Sequence, residues 1–94
     1  MNGRLRGFHR AKGGPVEVEF SLSPSYLIWS LVLGGALGGQ LPASALERLA
    51  TSFEGAPLDR DVLTQVAKRS FQELQISVEG VFPEDVVLAI LAAQ

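Results

Sequence analysis

Tyr26-Leu27-Ile28-Trp29-Ser30-Leu31-Val32-Leu33-Gly34-Gly35-Ala36-Leu37 is the stretch on whose reading the fold of this chain turns. From Tyr26 to Leu33 it holds one serine and no charge, so any helix formed there is buried on most of its faces. Ser23-Pro24 stands just ahead, a serine N-cap with proline at the first helical position. The pairs Gly34-Gly35 and Gly38-Gly39 stand behind, where paired glycines end a helix. This punctuation predicts a buried helix over 24–35.

A helix at that position has two possible surroundings. Residues 26–37 number 12, whereas a membrane-spanning helix needs about 20, and stretches of 10–14 are more often buried core. Gly34 to Gly38 and Gly35 to Gly39 do make the small-xxx-small spacing that favours close contact in lipid. A membrane-associated protein anchored through 26–37 is therefore the alternative to a core helix.

Upstream, the sequence from Pro15 to Ser23 alternates. Val16, Val18, Phe20 and Leu22 fall on one side, and Glu17, Glu19, Ser21 and Ser23 on the other. Period two is the mark of a half-buried strand, expected at about 15–22. Before it, residues 1–14 hold Arg4, Arg6, Arg10 and Lys12 and no acid, interrupted by Gly3, Gly7, Gly13 and Gly14. Four glycines in so short a segment oppose a helix, and the expectation is a flexible basic arm. Its four cations are candidate anion contacts, which admits a nucleic-acid accessory role.

Downstream, Pro42 opens a helix over about 42–54, with Ser44 and Glu47 at capping-box spacing offering a start two residues later. Leu46, Leu49, Ala50 and Phe53 form its apolar stripe. Asp59 is the natural N-cap of a third helix, about 59–75, with Leu58 and Leu63 placed as a hydrophobic staple around it. Residues 74–79 alternate and read either as the last helical turn or as a short second strand. Pro83 starts a final helix over about 83–93, with Glu84 and Asp85 where the helix dipole favours anions.

The whole is an α+β chain, mostly α: one strand, four helices, a basic arm at 1–14 and a single small domain over 15–94. Its 94 residues are 47% hydrophobic and 19% charged, with a net charge of −2, which is not the composition of a disordered chain. The net charge joins unlike parts. The arm has four bases and no acid, and the remainder sets four bases against ten acids, a balance of −6.

Chemistry finds little to work with. With no cysteine there is no disulfide, thiolate nucleophile or zinc–thiolate site, and one histidine leaves no histidine-rich metal site. Glu17 with Glu19 reads as a solvated strand face, and Asp59 with Asp61 as a helix start. The glycines at 34–39 lack the lysine and spacing of a phosphate cradle. A helix-turn-helix reading of 46–74 fails because Asp59 and Asp61 open the would-be recognition helix, where phosphates would repel them.

The reading is thus a non-enzymatic interaction or assembly protein without a cofactor. A homo-oligomer, with a dimer favoured, or an adaptor is expected from surplus apolar helix faces. The candidate interface residues are Val16, Val18, Phe20, Tyr26, Trp29, Val87, Leu88 and Leu91. A cytoplasmic location is expected.

Overall fold

The computed structural model describes residues 4–94. Within them the first surprise lies in the basic segment. Leu5–Ala11 is strand β1, Gly14–Leu22 is β2 and Ile28–Gly35 is β3, an antiparallel meander in the order β1-β2-β3. Four helices follow: α1 (Ala36–Gln40), α2 (Ala43–Thr51), α3 (Arg60–Glu73) and α4 (Pro83–Leu91). The fold is therefore sheet first and helices after, not a mostly helical chain with one strand.

Two corrections produce that change. The expected flexible arm is β1 over most of its length. Leu5, Gly7, His9 and Ala11 face the helices and oppose Phe20, Val18, Val16 and Gly14. The alternation is present, but its inward residues are one leucine, a glycine, a histidine and an alanine, so hydropathy does not betray it. Gly7 is required by contact: a Cβ there would overlap the backbone carbonyl of Ala89 in α4. Residues 1–3 lie outside the described residues.

The expected helix at 24–35 is β3. Ile28, Leu31 and Leu33 are buried while Trp29 and Val32 are exposed. Between Glu19↔Val32 and Ser21↔Trp29 the strand carries one extra residue, a bulge at which Ser30 adopts φ 59°. The bulge sets Ile28 and Leu31 three apart on one side, a spacing that imitates a helix. Ser23 does not cap a helix. Its amide donates to the Leu27 carbonyl at 2.8 Å and its hydroxyl accepts from the Leu27 amide at 3.1 Å, closing the β2–β3 turn. Gly35, at φ 73°, then turns the chain into α1.

The later helices lie close to their expected places. Asp59 caps α3 by accepting from the Val62 amide at 3.1 Å. Ser44 and Glu47 make no capping box, since α2 begins at Ala43 after Pro42 with no side-chain cap. Residues 74–79 form no second strand. Leu74 is the C-cap of α3, and only an isolated bridge, Val78↔Val81, follows. Asp85 rather than a serine closes the start of α4, accepting from the Phe82 amide at 2.8 Å.

Packing is one-sided. Val16, Val18, Phe20 and Leu33 turn one face of the sheet toward the helices, where they meet Leu37, Leu49 and Phe53 and the buried side of α4. α3 packs against α4, so α4 lies between the sheet and another helix. That position explains why its sequence is apolar nearly all round. Its C-terminal end returns to the sheet edge. Arg6 and Gln94 exchange backbone hydrogen bonds, 3.2 Å from the Arg6 amide and 3.1 Å from the Gln94 amide. No helix among the described residues is long and apolar enough to cross a membrane, and 26–37 in particular is mostly strand.

Candidate functional site

Among the described residues, no helix covers the opposite face of the sheet. Strand periodicity sends Arg6, Phe8 and Arg10 of β1 to it, and register sets Glu19 opposite Arg6, Glu17 opposite Phe8 and Pro15 opposite Arg10. β3 adds Val32 opposite Glu19, Gly34 opposite Glu17 and Trp29 opposite Ser21. Phe8, Trp29 and Val32 are 52%, 53% and 57% exposed. Gly34 brings no side chain, and a Cβ there would meet no atom within 4 Å. The result is an open hollow of about 470 Å³ lined by Phe8, Glu17, Glu19, Val32 and Gly34, among others.

One end of this face is fixed by Arg4. Its guanidinium donates to Glu19 Oε2 at 2.8 Å, to the Glu19 carbonyl at 3.2 Å, and to the hydroxyl of Ser30 at 3.1 Å. The bulge at Ser30 thereby places a hydroxyl within reach of β1. Arg6 adds an ion pair to Glu19 Oε1 at 3.3 Å. The hydrogen bond from Arg4 holds the Glu19 carboxyl below its ordinary value, opposed by desolvation and aided by the charges of Arg6 and Arg4. The side chains of Arg10 and Glu17 make no ion pair among the described residues.

The candidate interface residues separate. Val16, Val18, Phe20 and Val87 are core residues and present nothing to a partner. Leu88 is half-buried on α4, and Leu91 at its end is exposed. Tyr26 projects from the β2–β3 turn at 73% exposure, while Trp29 stands on the helix-free face. The candidate anion contacts Arg4, Arg6 and Arg10 share that face, with Lys12 in the β1–β2 turn. Phe8, Val32, Gly34 and the two glutamates complete it. Their role was hidden with the strand identity of β1 and β3, since outward and inward positions exist only once a strand is assigned.

Chemistry elsewhere is sparse. His9 is not loose in an arm. Its Nε2 lies 3.1 Å from Asp85 Oδ1, tying β1 to the start of α4. Asp85 is at the same time occupied by the Phe82 amide, and among the described residues no hydroxyl donor is hydrogen-bonded to the pair. Glu54 accepts from the Leu31 amide at 3.2 Å and so serves the edge of β3. Among the described residues no three His, Cys, Asp or Glu side chains come together as a metal site. Comparison with protein families, curated proteins and solved structures finds no match.

Proposed function

We propose that the chain is a non-enzymatic interaction module, working as a homo-oligomer or as an adaptor, and that it docks through the helix-free face of its sheet. One observation carries this reading: three large apolar side chains, Phe8, Trp29 and Val32, stand more than half exposed on a face that no helix covers. Antiparallel sheets commonly leave one face to water, and that face is then polar. Here it is apolar along β3 and at the centre of β1. Exposed apolar surface of this kind marks an interaction site, and aromatic residues are enriched in the energetic centres of such sites; here Phe8 lies on one side of the glutamates of β2, and Trp29 and Val32 on the other.

The charge pattern supports a protein rather than a polyanion as partner. The arginines of β1 do not form an isolated basic patch, because Glu17 and Glu19 run beside them on β2. A nucleic-acid backbone laid along β1 would meet those carboxylates at once. The membrane alternative loses its anchor with the helix at 24–35.

The hydrodynamic size of the chain tests the proposal, both purified and in extract of the producing cells. Wild type is expected to run larger than its 10.1 kDa in at least one of the two. Val32→Glu, which places a charge on the apolar edge strand β3 beside Glu19, is expected to return it to monomer size with its melting temperature unchanged. Monomeric wild type in both settings, or an assembly indifferent to Val32→Glu, overturns the reading.

A further inference from the structure

The two edges of the sheet are finished differently. At β3 the backbone of Ile28 is taken by the loop after α2: its amide donates to the Ala56 carbonyl at 2.8 Å and its carbonyl accepts from the Gly55 amide at 2.7 Å. The Leu31 amide goes to Glu54 Oε2. At β1 the outer edge is served only at Arg6, by the reciprocal bonds with Gln94. Two bonds exchanged between the same two residues make an antiparallel rung, so Arg6 turns both backbone groups away from β2. Alternation along the strand turns those of Phe8 and Arg10 the same way. Pro15 opposite Arg10 agrees, since a proline has no N–H to give β1. Among the described residues nothing bonds the backbone of Phe8 or Arg10 on that outer side.

The side chains along this open edge are of one sign. Arg6 and Arg10 flank Phe8 on the helix-free face. Arg4 and Arg6 both pair with Glu19, so one carboxylate answers two guanidiniums. Arg10 has no ion pair among the described residues. Glu17 stands across from Phe8 on the β2 side, away from the open edge.

We infer that the open edge of β1 accepts a short acidic strand from another protein, added antiparallel as a fourth strand with rungs at Phe8 and Arg10. The Arg6 rung is filled by Gln94, so the incoming chain leaves the edge once it has passed Phe8. Period two sets its residues across from Arg10 and Phe8 on the helix-free face. The first is an aspartate or glutamate, directly opposite the unpaired guanidinium, and the second is apolar, against the Phe8 ring. A polyanion over the face meets Glu17 and Glu19, whereas a strand beside β1 has the arginines between it and those carboxylates. Backbone bonds supply the affinity and the two side chains the selectivity, as in strand addition generally. A second copy of the chain is the wrong occupant, because its β1 brings arginines to the same seam, like charge against like. The inference uses the edge of the sheet and not its apolar face.

Amide hydrogen exchange of the purified full chain, followed by NMR with and without the blocked peptide acetyl-Glu-Val-Glu-Val-Phe-amide, tests it. In the free chain the Phe8 and Arg10 amides are expected to exchange much faster than those of Gly7 and His9, which face β2. With peptide both are expected to slow, at a Kd of about 1 mM or tighter. Methylating the amide nitrogen of the central glutamate, which faces the Arg10 carbonyl in this register, is expected to abolish binding. Methylating the valine that follows it, whose N–H points outward, is expected to leave binding intact. Arg10→Glu is expected to weaken the glutamate peptide about tenfold and to prefer acetyl-Lys-Val-Lys-Val-Phe-amide, with its melting temperature unchanged. Amides left unprotected at about 1 mM peptide, indifference to the central methyl group, or a charge preference that Arg10→Glu does not reverse overturns the inference. So does protection of both amides in the free chain that is lost on dilution, which would put a second copy at the edge. If the peptide protects both amides and no Val32-dependent assembly is found, the edge stands and the docking face falls. If that assembly is found and the amides stay unprotected, the reverse holds.

Discussion

The two faces of the sheet use the same strands for opposite ends. On the helix-covered face Val16 and Phe20 are 0% exposed and Val18 3%. On the other, Phe8 and Val32 are more than half exposed and stand beside charges. The difference teaches that apolar content in this chain is not a guide to position. The buried face includes a glycine and a histidine on β1, whereas the solvent face includes an aromatic and a β-branched residue. Covered positions are set by what packs on them, so a substitution there acts on folding. The open positions Phe8, Val32 and Gly34 are covered by no packed element among the described residues, so a substitution at them acts on association.

The largest effect that sharpens this contrast is expected from Gly7→Val. Its side chain has no place to go but the Ala89 carbonyl, so α4 must separate from β1. A cost of about 4 kcal/mol or more, or failure to fold, should show in urea unfolding. Phe20→Ala, a large truncation in a fully buried position, should cost about 3–5 kcal/mol in the same measurement. An open-face response comparable to either would break the comparison.

His9→Ala comes next. It removes the 3.1 Å contact with Asp85 and should cost about 1 kcal/mol, read as a lowered denaturant midpoint with the slope unchanged. Glu19 provides a pH-dependent effect. Because its folded value lies below the ordinary 4.5, the unfolded chain binds the proton more readily. Its contribution is therefore complete above about pH 4.5 and is lost as pH falls through the lower, folded value. Melting curves of wild type and Glu19→Gln should accordingly converge toward acid pH and differ at neutral pH. The smallest stability effect belongs to Gly34→Val. With no atom within 4 Å of the added Cβ, it should shift stability by less than about 0.5 kcal/mol in either direction, yet fill the hollow and weaken assembly.

Legibility in the sequence followed the strength of local punctuation. β2 was plain because its inward residues are Val16, Val18 and Phe20 and its outward ones Glu17 and Glu19. The third helix was plain because Asp59 caps it and the apolar spacing persists for several turns. β1 was not, since Gly7, His9 and Ala11 carry too little hydropathy to mark an inward row. Gly7 in particular is inward because a carbonyl approaches it, a fact that belongs to α4 and lies far away in the chain. β3 was misread for a different reason: a short apolar run fits either a buried strand or a buried helix, and the bulge at Ser30 interrupts the one pattern that separates them. The candidate site inherited both errors. Trp29 and the arginines could be singled out as residue types, but their common face exists only in the register of β1, β2 and β3.

The reciprocal pair between Arg6 and Gln94 has a consequence for the order in which the fold can close. The turn at Lys12-Gly13 lets β1 pair with β2 through a local contact. The other edge of β1, and the α4 surface that Gly7 accommodates, come from residues far downstream. Until α4 docks, the hairpin stands with Phe8 uncovered on one side and Val16 and Phe20 on the other, and only that long-range step makes the two sides of the sheet different.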